Sequence, residues 1–272
     1  MGKHAQLVIG PAGCGKSTFC HLIQEHCDAT KRTVHIVNLD PAAEHFSYRP
    51  TLDIRDLVSV DDVMEELDLG PNGALVYCME YLLENAEWLE EELDGYGPDD
   101  YLLFDCPGQI ELYTHLPVFR QLVNGVLRKF DYSVCCVNII DSQFIADASK
   151  FLSASLVSLS AMMSLELPHI NVLSKVDILK RTLPKRERKK ALDRFLDMDV
   201  AGLIARVKPV TEKHMRLTDA IGSLLQDFNM VSYVPLDASD PDSVSLVLSQ
   251  IDHAIQYGED VEPTEPEDHD VD

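Results

Sequence analysis

Positive charge is scarce in this chain. Lys and Arg number 23 against 46 Asp and Glu, a formal net charge of -23 over 272 residues. So acidic a surface repels phosphate backbones and argues against direct DNA or RNA binding. Part of the imbalance lies in 259–272, which holds many carboxylates and no Lys or Arg. Such a run is expected to be a disordered, solvated tail. The seven cysteines (Cys14, Cys20, Cys27, Cys78, Cys106, Cys135 and Cys136) include no C-x-x-C pair and are odd in number. That excludes a zinc signature and a disulfide framework and suits reduced intracellular thiols. Cys106 lies inside a motif, where an exposed thiol would be open to oxidation. No long apolar run is free of charge. The most apolar stretch, Phe144 to Pro168, contains Asp147, Lys150 and Glu166, so it reads as a buried helix rather than a membrane span. The N-terminus enters a strand directly, with no signal-peptide pattern. Neither an internal repeat nor a long linker precedes residue 258. With 46% hydrophobic residues, the expectation is one domain over 1–258.

What is present begins at Gly10-Pro11-Ala12-Gly13-Cys14-Gly15-Lys16-Ser17. This fits G-x-x-x-x-G-K-[ST], the phosphate-binding loop. The apolar strand before it and the helix after it supply the required context. Glycines let the backbone curl so that several N–H groups meet one anion at a helix N-terminus. Gly13, Cys14, Gly15, Lys16, Ser17 and Thr18 are the candidate nucleotide ligands. Lys16 suits the β- and γ-phosphates, and Ser17 suits Mg²⁺.

Short apolar strands are expected at Ala5–Ile9, Thr33–Leu39, Tyr101–Phe104, Ser133–Ile140, His169–Leu173 and Val231–Leu236. Helical patterns fall between them at about 16–28, 53–66, 74–93, 115–128, 143–166, 186–197, 211–228 and 240–257. This alternation predicts an α/β fold of the P-loop NTPase type. Its doubly wound, mostly parallel sheet has helices on both faces and a ligand at the C-terminal strand ends.

Three further motifs fall at such ends. Asp105-Cys106-Pro107-Gly108-Gln109 follows the third strand, and Asp105 suits a water-mediated hold on Mg²⁺. Gln109 stands where a Gln orients attacking water in GTPases, and Glu111 is a second candidate for that water. Asp40 ends the second strand, within reach of a metal shell or water, or as a cap before Pro41. Ser174-Lys175-Val176-Asp177 resembles [NT]-K-x-D. There Asp177 accepts hydrogen bonds from guanine, which adenine does not offer. The Lys175 stem covers the ring, and Ser174 braces the loop in place of the usual Asn. Gly70-Pro71-Asn72 reads locally as a turn.

Together these motifs resemble the GPN-loop GTPases, named for the insertion that is Gly70-Pro71-Asn72 here. The likeness runs from about residue 4 to residue 258. Asn38–Glu44, Asp105–Leu112 and Ile255–Asp260 are most similar to the third eukaryotic paralogue. The resemblance implies inserted helices around the GPN loop, GTP/GDP with Mg²⁺, and hydrolysis of GTP. It also implies a dimer whose Asn72 reaches the partner's site near the γ-phosphate. Archaeal members form homodimers, and eukaryotic first and third paralogues are expected to pair as heterodimers. It implies a switch acting in assembly and nuclear import of RNA polymerase II, and so contact with its subunits. A cytoplasmic location with shuttling to the nucleus is the matching expectation, without membrane attachment. No Arg obviously faces the phosphates, although Arg49 and Arg55 remain open, and a dimer would supply the missing group.

Two other readings stay open: a nucleotide-binding scaffold without turnover, and a nucleotide or polynucleotide kinase. Segment 40–75 is the candidate switch. The basic stretch Lys180–Lys190 suits a solvated helix start, a nuclear import signal, an acidic partner or the chain's own tail. Met162 and Met163 are most simply core. His115 is most simply a helix-start residue.

Overall fold

The computed structural model of the chain describes residues 2–182, 192, 196, 199–207, 211–228 and 231–258. Seven strands form one sheet, β1 Lys3–Ile9, β2 Val34–Asn38, β3 Leu52–Asp53, β4 Tyr101–Asp105, β5 Tyr132–Asp141, β6 His169–Ser174 and β7 Tyr233–Pro235. Their order is β3-β2-β4-β1-β5-β6-β7, and every pairing is parallel. All six expected strands are present. The two-residue β3 is too short to leave a period-2 signal.

Parallel strands are covered on both faces, and β1 displays this residue by residue. Ala5, Leu7 and Ile9 enter one apolar cluster, while Val8 enters the other. The first face is packed by helices α2 Val60–Leu67, α3 Pro71–Glu84, α4 Ala86–Asp94 and α6 Val118–Gly125. The opposite face is packed by α1 Lys16–Ala29 and the helix Pro241–Ala254. Strand order reverses at β1, so the loop after β1 opens at the switch point where such folds bind ligands.

Several expected helices are subdivided by local chemistry. The stretch 53–66 starts late: Asp53 ends β3 and accepts from Arg55 N to open a 3₁₀ turn, and Ser59 then caps α2. The stretch 74–93 is two helices, broken at Asn85 (φ -111°, ψ 37°). The GPN tripeptide is more than a turn. Gly70 is the N-cap of α3 and Pro71 its first residue, where a missing N–H costs no hydrogen bond. Pro117 separates the four-residue α5 Glu111–Thr114 from α6. Helix α7, Ala148–Leu165, begins after Asp147, whose carboxylate accepts from Ser149 and Lys150 N–H groups. By length and composition α7 is apolar enough to cross a membrane. It nevertheless buries Phe151, Leu152, Leu159 and Leu165 in the fold. Met163, expected in the core, is 61% exposed because it lies on the outer face of α7. Most of the expected helix 186–197, most of the basic stretch and the acidic tail lie outside the described residues.

Candidate nucleotide site

The loop Gly10–Gly15 joins β1 to α1, and its backbone sets the cradle. Gly15 caps α1 at φ +101°, a left-handed conformation that strains any other residue. Lys16 is largely buried and its Nζ lies 3.4 Å from Pro11 O. The expected ligands Gly13, Cys14, Gly15, Lys16, Ser17 and Thr18 are therefore consecutive around one helix N-terminus. This is where partial positive charge and free N–H groups suit phosphate.

The loop after β4 is pressed against this cradle. A Cβ on Gly108 would lie 2.8 Å from Ala12 Cα, so only glycine fits. Asp105, at the end of β4, is 3% exposed. Its Oδ2 accepts a 2.7 Å hydrogen bond from the Tyr48 hydroxyl. Its Oδ1 is shielded from solvent and makes no close hydrogen bond, with the Ser17 hydroxyl beside the carboxyl. Burial pushes the Asp105 carboxyl up, while the Ser17 and Tyr48 hydroxyls and the Lys16 charge act oppositely. Burial likewise pushes Asp40 up, against the Ala42 N–H and Lys16. Asp40 Oδ1 accepts from Ala42 N at 3.0 Å. It thus caps a turn, and no helix follows Pro41.

This donor set suits Mg²⁺. A serine hydroxyl and one or two carboxylates, with water and phosphate, are the usual ligands of that hard cation. The shielded Asp105 Oδ1, with the Ser17 hydroxyl beside the carboxyl, fits such a ligand. Among the described residues no cluster of three or more His, Cys, Asp or Glu offers a rival metal centre.

Gln109 Nε2 donates to Asn72 Oδ1 at 2.7 Å. The first turn of α3 therefore meets the loop after β4 within one chain, bringing together two expected catalytic residues 37 positions apart. Glu111 opens α5 and is exposed. Arg55 is committed elsewhere. It pairs with Asp53 at 2.6 Å, donates to Ala43 O and stacks over Phe46, so it is not a free finger. Arg49 is exposed. Cys106, expected as a candidate exposed thiol, is fully buried. Its Sγ lies 3.6 Å from Phe104 O, and burial raises it well above the ordinary thiol value. His115 Nδ1 lies 2.6 Å from Thr114 Oγ1, just after α5.

The base-side loop is bonded to the phosphate loop. Ser174 Oγ donates to Cys14 O at 2.6 Å, which ties this loop to the phosphate loop. Lys175 Nζ donates to Gly13 O and to Asp141, both at 2.7 Å. Lys175 itself has φ +58°. Asp177 lies in the first turn of the short helix Val176–Thr182 and is half-buried. Val176 N donates to Leu236 O, which brings the end of β7 alongside. Sequence reasoning missed Asp141, although a carboxylate ending a parallel strand was a usable signal. It also missed Tyr48, which carried none. An apolar cavity of about 360 Å³ adjoins the site between Pro11, Ile110, Ile140, Phe144 and Val157. Its walls are chiefly carbon, unlike the phosphate cradle.

Three comparisons bear on this arrangement. A family model described as a conserved hypothetical ATP binding protein matches residues 8–257. A Dictyostelium discoideum protein named GPN-loop GTPase 3 is 55% identical over 98% of this chain and 92% of its own length. The Saccharomyces cerevisiae protein of that name is 48% identical over 98% of each chain. Among solved structures, a GTPase in apo form from Pyrococcus abyssi superimposes with a TM-score of 0.75. It is 22% identical and covers 93% of this chain and 97% of its own, a likeness of fold.

Proposed function

The chain belongs to the GPN-loop GTPase family, and from that premise we propose that it binds GTP and GDP with Mg²⁺, hydrolyses GTP, and works as a dimeric switch. The observation that carries the chemistry is that Ser17 and Lys16 act on the Asp105 carboxyl while Gly108, next to Gln109, abuts Ala12 of the phosphate loop. Lys16 and the loop N–H groups neutralise and orient the phosphates. Ser17 and Asp105, with Asp40 close by, would hold the hydrated metal. Bound Mg²⁺ would supply charge stabilisation to the transferring phosphoryl group. Gln109 positions water in line with the γ-phosphate; Asn72 fixes its amide, and Glu111 stands at the rim. Positioning and electrostatics carry such reactions, with no covalent step for the protein. Asp177 selects guanine, because adenine would leave its carboxylate unpaired.

Dimerisation is supported by the surface beside the GPN tripeptide. Leu67 and Leu69 precede it and Tyr77 follows it, all three exposed. Exposed apolar side chains on the segments flanking the tripeptide are the kind of surface that a partner covers. With Arg55 tied to Asp53, a group from a second subunit is the natural supplement to the site. A first-type paralogue as partner, a second copy as the alternative, RNA polymerase II subunits as client, and a cytoplasmic location with nuclear shuttling all follow the resemblance to the family.

The test is single-turnover GTP hydrolysis by the purified chain over a range of protein concentrations. Turnover that rises with concentration supports a site completed by self-association, while a fall in Asn72→Ala at fixed concentration tests the hold of Asn72 on the Gln109 amide. Slow turnover that quickens only on adding the first-type paralogue supports the heterodimer. GTP that binds but is hydrolysed under neither condition refutes the enzyme.

A further inference from the structure

Between β2 and β3 the chain runs through residues 39–51 without regular secondary structure, yet it is firmly anchored. Thr51 N donates to Ile36 O at 2.7 Å. Buried Asn38 holds Asp53, Asp53 holds Arg55, and Arg55 donates to Ala43 O while lying 4.7 Å over the Phe46 ring. Phe46 in turn packs on Tyr48, with ring centroids 5.2 Å apart. Ser47 Oγ donates to Ser17 O. The segment is a strap laid from the end of β2 across the start of α1, and Tyr48 is the side chain it delivers inward.

Tyr48 is 6% exposed, and its hydroxyl meets Asp105 Oδ2, 57 positions away, at 2.7 Å. The two carboxylate oxygens are thereby unequal. Oδ2 is occupied by the strap, and Oδ1 is buried with no close hydrogen bond, the Ser17 hydroxyl lying beside the carboxyl. A buried carboxylate oxygen left unpaired is costly, and a hydrated cation relieves that cost. Rotation of the carboxylate about its χ2 torsion would otherwise be broad and two-fold. The phenol removes that freedom.

We infer that Tyr48 is a positioning residue for Asp105, holding Oδ2 so that Oδ1 is the oxygen presented to hydrated Mg²⁺. The inference rests on the Mg²⁺ site proposed above. It also makes the strap part of the metal site, because any movement of residues 39–51 that withdraws Tyr48 frees the carboxylate to turn.

The experiment titrates Mg²⁺ into metal-stripped protein carrying a fluorescent GDP analogue and follows nucleotide release. It compares the native chain, Tyr48→Phe, Asp105→Asn and the double variant. Tyr48→Phe keeps the ring against Phe46, and thermal unfolding checks that it is folded. The expected result is GDP affinity without metal within twofold of the native chain, and a half-saturating Mg²⁺ concentration raised about tenfold, as for a lost hydrogen bond to a charged group. In the Asp105→Asn background the same change should add nothing. An unchanged half-saturation in Tyr48→Phe overturns the positioning role while leaving the metal site standing. A full additional loss in the double variant overturns the route through Asp105. Release from the native chain that ignores Mg²⁺ overturns the metal reading itself.

Discussion

Replacing Gly108 with alanine is the sharpest structural probe of the nucleotide site. The added Cβ would stand 2.8 Å from Ala12 Cα and 3.0 Å from Ala12 N. Reaching ordinary carbon–carbon contact near 3.5 Å requires a movement of at least about 0.7 Å. The obstacle is backbone, not the end of a flexible side chain. That backbone is held by Cys14 N on Pro11 O, Ser174 on Cys14 O and Lys175 on Gly13 O. Overpacking of this kind costs about 1–3 kcal/mol. If the phosphate loop yields, its N–H groups leave their positions and GDP affinity falls about 10- to 100-fold. If the loop stands firm, the cost goes into unfolding, and a chain of this size loses about 2–4 °C of Tm per kcal/mol. Calorimetric GDP titration and nucleotide-free thermal melts separate the two. A variant with affinity within twofold and Tm within about 1 °C of the native chain would refute the close approach of the two loops.

Gln109→Leu should leave GTP binding intact and slow single-turnover hydrolysis about 100-fold or more, the scale of a lost water-positioning group; native rates would remove Gln109 from the mechanism. Asp177→Asn should weaken preference for GDP over ADP by about two orders of magnitude or more, read by competition binding. Retained selectivity would place base recognition elsewhere. Burial lowers His169 to about 4 from the ordinary 6.5, so the unfolded chain binds the extra proton. Its contribution is therefore complete above pH 6.5 and is lost as pH falls toward 4, by up to about 3 kcal/mol. His169→Leu should flatten the fall in denaturant-measured stability between pH 7 and 5; an unaltered slope would show that the imidazole titrates freely.

The phosphate loop was legible because its chemistry is local: eight consecutive residues fix the turn, the cap and the charge. Strand-end motifs at Asp105 and Ser174 were legible because parallel strands announce themselves as apolar runs and present whatever follows them at one edge of the sheet. Contacts across the sequence were not. Nothing near Tyr48 points to Asp105, since the strap is held by Asn38, Asp53 and Arg55 acting in series. Nor does the GPN tripeptide by itself announce its meeting with Gln109, which depends on the angle at which α3 returns to the sheet. Helix breaks at Asn85 and before Val60 escaped for a simpler reason. Apolar periodicity continues across them, while the backbone obeys caps and a two-residue strand.

The hydrogen bonds from Ser174 and Lys175 to the carbonyls of Cys14 and Gly13 tie the loop proposed to read the base to the loop proposed to hold the phosphates. Two sites so joined share one reference state. Whatever free energy is needed to order the Gly10–Gly15 loop is supplied in part by the loop at Ser174, so a ligand on either side finds the other already arranged. By linkage, the advantage must be mutual. A guanine nucleoside should bind more tightly when inorganic phosphate occupies the cradle, and phosphate more tightly when the nucleoside is present, by the same factor. Ser174→Ala should shrink that factor even though position 174 need touch neither ligand.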